Sequence, residues 1–280
     1  MRLLKAFLLF AVFSAVGAGF LAYRAYRMAF EPYRGYLEDE VFFTVERGAT
    51  GTRIGEELED RGIIRDRRLF LLALRFRSEG KSVQAGEYRF AEPLSTVEVL
   101  EKLLAGDTFT FPVTIPEGLT LVETAELLAA KELAELAAIR SAFEEGALVA
   151  ELDPEAASLE GYLYPTTYRF PRKVAPEELA RILVDQFERV FDESRRAQAA
   201  KLGLETREVV TLASVIEKET GLPDERPLIA SVFWNRLRIG MPLQSDPTII
   251  YALELAGRFD GNLRRTDLEL DSPYNTYRFP

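Results

Sequence analysis

The stretch Arg207–Gly221, REVVTLASVIEKETG, decides how the second half of the chain is read, and the rest follows outward from it. Val209, Val210, Leu212, Ala213 and Ile216 recur at helical spacing, which predicts a helix with one wide apolar face. Glu217 falls four residues after Ala213 and seven after Val210, so it extends that stripe. A carboxylate on the buried edge of a helix is desolvated, and desolvation raises its pKa, as a general acid working near neutral pH requires. The plainer reading, a solvated Glu-Lys-Glu helix end, is the better supported on pattern alone. Gly221 is expected to close the helix in a left-handed conformation, with Pro223 barring its continuation.

Downstream, a second helix is predicted from about Asp224 to Arg238, with Leu228, Ile229, Val232, Phe233 and Leu237 facing inward and Gly240 closing it. Asn235 and Arg236 are polar residues near its end. Met241–Gln244 is read as an extended lead-in. Ser245 or Asp246 then caps a third helix that has Pro247 at its first position and runs to Gly257. Capping is the better reading of Asp246, and Ser245 has no histidine to activate it. Asp271-Ser272-Pro273 is a turn. After it, Tyr274, Asn275 and Tyr277 suit hydrogen bonds to sugar hydroxyl and acetamido groups, and suit a plain hairpin equally.

Upstream, Glu160–Tyr168 is dense in aromatic residues, whose rings can stack on the C–H face of a pyranose. Core packing is the better reading for Tyr162 and Tyr168. Pro176 opens a helix to about Asp192. Residues 135–158 are rich in Ala and Glu and read as a solvated helical connection.

The first half opens with an uncharged apolar run, Ala6–Tyr23, between Arg2 and Lys5 on one side and Arg24 and Arg27 on the other. Its length is near the lower limit for a membrane-spanning helix. An uncleaved anchor is favoured over a signal peptide, with residues 1–5 as a cytoplasmic tail and 24–40 as a linker. Val41–Val45 reads as a strand, Gly48 as a turn and Thr50 or Thr52 as a helix cap, with Ile54 and Leu58 inward. Seventy residues on, Val113–Ile115, Gly118, Thr120 and Leu128 repeat that order. Between the two, helix Asp66/Arg67–Phe76, strand Gly86–Phe90 and helix Ser95–Ala105 are predicted, with Ser95 and Gly106 at the ends of the last. The βα pieces resemble LysM-type modules, which bind N-acetylated sugars, and fit a scaffold without sugar contacts as well. The expected fold is therefore α+β: a transmembrane helix (6–23), a LysM-like subdomain (41–108), a second βα unit with its helical connection (109–158), and a mostly helical catalytic domain with short strands (159–280).

Composition narrows the chemistry. The 280 residues contain no cysteine, which removes disulfides and thiolate nucleophiles, and no histidine, which removes a Ser–His–Asp triad, a histidine base and a His-ligated zinc. Proton transfer must come from a carboxylate, lysine or tyrosine. Net charge is −10; residues 1–35 contribute +4, leaving −14 on the remainder, which argues against nucleic acid as a partner.

Several segments in fixed order resemble the endolytic murein transglycosylase G family: Ala213–Thr220, Glu225-Arg226, Val232–Leu237, Gly240–Thr248 and Tyr274–Tyr277, with Glu160-Gly161, Pro165 and Thr167-Tyr168 before them. The resemblance implies that Glu217 is the catalytic acid and base. It would protonate the glycosidic oxygen between N-acetylmuramic acid and N-acetylglucosamine, then deprotonate the muramic acid C6 hydroxyl, which closes on C1 to leave a 1,6-anhydro end. Because the nucleophile belongs to the substrate, no second carboxylate, metal or cofactor is called for. Glu160, Asn235, Gln244, Ser245, Asp246, Tyr274, Asn275 and Tyr277 are the substrate-binding candidates. The implied partners are peptidoglycan glycan strands and the synthases that make them, with the body outside the inner membrane. Two alternatives remain: a hydrolytic muramidase pairing Glu217 with Asp246 or Glu160, and a non-catalytic wall-binding protein. The family pattern continues beyond Tyr277 into a Gly/Pro-rich stretch, so a chain ending at Pro280 is expected to be C-terminally incomplete.

Overall fold

The structure is a computed structural model that describes residues 2–78 and 80–279; within the first helix, the side chains of 13–20, 23, 24 and 26 onward are described. The chain forms two compact units, Met1–Phe111 and Pro112–Pro280.

The first unit contains α1 (Arg2–Phe30), β1 (Val41–Val45), α2 (Gly51–Asp60), α3 (Arg67–Arg77), β2 (Gly86–Phe90) and α4 (Thr96–Ala105). β1 and β2 pair antiparallel with Phe43 opposite Tyr88. Alternation sends Phe43, Val45, Tyr88 and Phe90 to one face, where Ile54, Leu58, Ile64, Phe70, Leu100 and Leu103 meet them. The buried Tyr88 hydroxyl is satisfied by the Gln84 carbonyl at 2.7 Å. Local signals set the helix ends. Thr50 accepts the Arg53 N–H, Asp66 accepts that of Arg68, and Ser95 and Glu98 form a reciprocal capping box. Gly106 closes α4 at φ 68°. The two turn glycines of the repeat, Gly48 and Gly118, both lie in the left-handed region, at φ 80° and 78°.

α1 continues to Phe30, seven residues past the apolar run, and packs against α3 and α4. Among the described residues no helix is long and apolar enough to cross a membrane. Of the expected 6–23 span, the side chains of residues 6–12, 21 and 22 lie outside the described set.

The second unit contains all but the first residue of β3 (Phe111–Thr114), then α5 (Leu121–Ala130), α6 (Leu136–Phe143), β4 (Thr167–Phe170), α7 (Pro176–Val190), α8 (Glu193–Lys201), α9 (Thr206–Glu219), α10 (Arg226–Arg238) and α11 (Asp246–Leu255). β3 pairs with β4 in a two-stranded sheet. Four expectations are corrected here. Residues 135–158 are not a solvated connection, because Ile139, Phe143, Val149 and Asp153 are buried. Gly221 does not take the left-handed conformation. Buried Thr220 ends α9 in extended backbone (φ −146°), its hydroxyl donating to Glu225 and accepting the Leu222 N–H. On α10 only Phe233 is buried, while Leu228, Val232 and Leu237 are exposed. The cause is that α10 packs mainly on α9, where Phe233, Val215 and Leu243 make a small core that covers a narrow stripe. Ser245 and Asp246 make no side-chain cap to α11.

Removing the α4 cap by Ser95→Ala should cost about 1 kcal/mol. Leu100→Ala, which opens a cavity in the first unit's core, should cost about 2–5 kcal/mol. Urea unfolding of the two variants should preserve that order.

Candidate active site

Helix α9 carries Glu217, and it is fastened near both ends. Near its start, the Arg207 guanidinium grips Asp153 through Nε (2.9 Å to Oδ2) and Nη2 (2.6 Å to Oδ1). Tyr162 donates its hydroxyl to the same carboxylate at 2.6 Å. Asp153 is almost wholly buried, and its charge is answered by these two partners together with the Glu155 N–H at 3.2 Å. The Arg207 hydrogen bonds hold its carboxyl below the ordinary 3.8. One turn further along α9, Val210 lies against Gly161 (φ 85°), where an added Cβ would come within 2.6 Å of the Val210 methyl. Glycine is therefore needed both for the backbone conformation and for the close approach.

At the other end, the Glu217 carboxylate pairs with Arg226 Nη2 at 2.8 Å, and the same nitrogen reaches Glu117 at 2.9 Å. Glu217 keeps 27% of its side chain accessible. Its surroundings are thus an open ion pair and not the apolar pocket expected of a stripe residue. Glu117 stands in the turn between β3 and α5, beside Gly118. A Cβ on Gly118 would sit 3.7 Å from Glu217 Cγ, so the glycine leaves a face of the glutamate uncovered. The turn leads into α5 through a capping box of Thr120 and Glu123.

Glu160 lies deeper. Its Oε2 accepts the Leu121 N–H at 2.9 Å, at the first residue of α5. Burial pushes its carboxyl above the ordinary 4.5, with the α5 amide, Lys218 and Gly161 acting against the shift and Glu123 with it. Burial of a carboxyl is thus found at Glu160. Burial and the Glu160 charge also raise Tyr251, whose ring meets Tyr274 edge-on at 5.1 Å between centroids.

A third group surrounds the start of α11. Ser245 donates its hydroxyl to Glu219, the residue two past Glu217 on α9. Thr276 accepts the Ser245 N–H at 3.0 Å, its carbonyl accepts the Gln244 N–H at 2.9 Å, and its hydroxyl meets that of Thr248 at 2.9 Å. Asp246 accepts the Tyr277 hydroxyl at 2.5 Å, which pushes Tyr277 up to about 12. Asn275 is fully buried, and its amide donates to the Leu268 and Leu270 carbonyls, which leaves no amide hydrogen for a ligand. Asn235 and Gln244 are exposed, the latter at φ 54°. Ser245, Asp246, Asn275 and Tyr277 therefore share one hydrogen-bonded corner tied to α9 through Glu219, and Tyr274 faces Tyr251 beside it. Sequence reasoning passed over Glu117 and Tyr251. Glu219, Arg226 and Thr276 were visible only as parts of motifs, and no spacing rule connects Arg226 to Glu117, 109 residues earlier.

The model of the YceG-like family matches residues 43–280, which includes this whole arrangement. The chain belongs to the YceG-like family. This YceG-like chain is 28% identical over 264 residues to a Bacillus subtilis (strain 168) protein named endolytic murein transglycosylase, covering 89% of itself and 72% of that protein. It is also 28% identical over 311 residues to a Streptococcus pneumoniae (serotype 2) protein of the same name, covering 98% of itself and 55% of that protein, about half of the relative's length. A crystal structure of a YceG-like protein from Listeria monocytogenes superposes with a TM-score of 0.53 at 30% identity, covering 86% of this chain and 83% of that one.

Two pH dependences follow, of opposite sign. Asp153 binds its proton more weakly folded than unfolded, so its contribution is fully present above its unfolded value of 3.8 and is lost as pH falls below it. Asp153→Asn should lower the urea midpoint at pH 7 and flatten its decline below pH 3.8. Glu160 binds its proton more tightly folded, so its contribution is present below 4.5 and fades as pH rises past its folded value. Glu160→Gln keeps an acceptor for Leu121, and should remove that fading and hold the midpoint at pH 7.

Proposed function

We propose that this chain is a membrane-anchored murein lytic transglycosylase in which Glu217 acts as acid and then as base. One observation carries the reading: Glu217, in the last turn of helix α9, has a part-accessible carboxylate, a guanidinium at 2.8 Å and a glycine turn across from it. In the first step the carboxyl gives its proton to the oxygen between N-acetylmuramic acid and N-acetylglucosamine, and the C1–O bond breaks. In the second, the carboxylate takes the proton of the muramic acid C6 hydroxyl as that oxygen bonds to C1. One proton leaves the residue and one returns, no water is consumed, and a 1,6-anhydro end remains. Arg226 faces the carboxylate that exists between the two transfers, an opposite charge fixed beforehand where negative charge develops. The names of the relatives in Bacillus subtilis and Streptococcus pneumoniae support the substrate.

The remaining features fit the same proposal. α1 has 29 residues, which at 1.5 Å each gives a rod of about 43 Å, enough for a bilayer with its headgroups. An anchor there puts the body outside the inner membrane, beside the strands that peptidoglycan synthases release. The β1–α2–α3–β2 order with an antiparallel pair supports the LysM-like reading of the first unit. Of the polar candidates, Tyr274 and Gln244 are exposed and able to meet sugar, whereas Asn275 braces the corner that carries them.

A hydrolytic reading has one observation in its favour. Glu117 and Glu217 each bind the same nitrogen, at 2.9 and 2.8 Å, so those two oxygens lie no more than about 5.7 Å apart. Retaining glycosidases hold their two carboxyl groups about 5–5.5 Å apart. Mass spectrometry of digested murein separates the two. Transglycosylation yields 1,6-anhydro ends, and Glu117→Gln should keep them while lowering the rate modestly. Hydrolysis yields reducing ends, and Glu117→Gln would abolish them. Glu217→Gln should lower cleavage by about 10²–10⁴ with the fold intact. Undiminished cleavage by that variant would remove Glu217 from the chemistry.

A further inference from the structure

Helix α3 presents two faces of different character. Phe70 is fully buried and Leu71, Ala73 and Leu74 pack on the first unit's core. On the other side, Arg68, Leu72, Arg75 and Phe76 follow one another at i, i+4, i+7 and i+8, and all four are exposed, Leu72 by 53% and Phe76 by 73%. No acidic residue occurs in the helix. Arg67 and Arg77 are already paired with Glu56 and Glu101. Arg68 and Arg75 have no ion-pair partner among the described residues, so the exposed face carries two free cations around an aliphatic and an aromatic side chain. Water is a poor neighbour for this face, and a second protein surface would have to bring acid and apolar groups together.

The neighbourhood supplies the occupant. α3 packs against the end of α1, where the Arg77 guanidinium lies 5.3 Å over the Phe30 ring and Arg65 reaches Glu31 at 3.9 Å. Tyr23, Tyr26 and Phe30 are exposed on that end of α1, with Arg24 and Arg27 among them. Aromatic and basic residues just beyond an apolar run are the composition of a membrane interface. Seven residues of helix separate Tyr23 from Phe30, a rise of about 10 Å. The headgroup layer on each side of a bilayer is about 5–8 Å thick. Phe30, and α3 against it, therefore stand just above the outer edge of the headgroup layer, where long side chains on α3 can reach down into it.

We propose that the Arg68–Leu72–Arg75–Phe76 face of α3 lies on an anionic lipid surface, with Leu72 and Phe76 entering the headgroup layer and the two arginines meeting lipid phosphates. This rests on the reading of α1 as a membrane anchor. It makes the first unit a foot held flat on the bilayer. Its consequence for function is a fixed stand-off: the unit would stay at the membrane instead of swinging free on a linker.

The absence of cysteine from the chain permits a direct test. Phe76→Cys and, separately, Leu72→Cys carry an environment-sensitive fluorophore in the full-length protein, with Leu148→Cys, an exposed position of the second unit, as reference. The proteins are reconstituted into phosphatidylglycerol/phosphatidylethanolamine vesicles and into phosphatidylcholine vesicles. In the anionic vesicles, lipid-borne quencher should quench labels at 72 and 76 at least about twofold more than the label at 148, and the difference should shrink in phosphatidylcholine, in about 1 M salt, and in Arg68→Glu/Arg75→Glu. Labels at 72 and 76 that answer only to aqueous iodide, on protein that floats with the vesicles, would overturn the surface and leave the anchor standing. Protein that fails to float would overturn both. Shielding of the labels by soluble glycan strands in place of lipid would assign the face to murein and overturn the proposal.

Discussion

The grip of Arg207 on Asp153 is the interaction on which the second unit's chemistry rests. A carboxylate this deeply buried cannot be left unanswered, because taking a charge out of water costs several kcal/mol unless partners replace the solvent. Arg207 and the Tyr162 hydroxyl supply those partners, and in doing so fix the start of α9 to the loop that precedes β4. That loop also carries Glu160 and Gly161, which touch α5 and α9 respectively. One satisfied charge thus sets the position of a helix whose far end bears Glu217. The residues at that far end are organised by a second shared charge, Arg226 between Glu217 and Glu117. The site is a helix held at two points, with its acidic end open.

How much of this was legible in the sequence depends on how far each determinant reaches along the chain. Ser95, Gly106, Thr50, Thr120 and the glycine turns at 48 and 118 act on residues within four positions of themselves, so their roles could be read directly and are found. Ser245 looked like a cap by the same logic, but Glu219 takes its hydroxyl from 26 residues away. Helix α10 has an apolar pattern wider than the stripe its neighbour covers, and periodicity alone does not say how many partners a helix will have. Glu117 meets Arg226 across 109 residues, a distance at which no pattern rule operates. The family motifs marked Glu217; what surrounds it came only with three dimensions.

The two glutamates also show why a stripe position is a weak guide to burial. Glu217 extends an apolar row on α9, yet a row is buried only where another element lies over it, and at the helix end the covering element is a glycine turn with an arginine beside it. Glu160 follows no periodic pattern at all, yet burial holds its carboxyl above the ordinary range in a tight corner where it accepts the N–H that opens α5. On the proposed function Glu217 has to meet a polysaccharide, which asks for accessibility. Glu160 braces the first turn of α5, while Glu217 stays part-accessible beside Arg226. On that function, a sugar bound beside the Gly118 turn would displace water from the carboxylate paired with Arg226. On the proposed function, then, what α9 must provide is a carboxyl that the glycan can reach, and the part-accessible position of Glu217 beside Arg226 provides it.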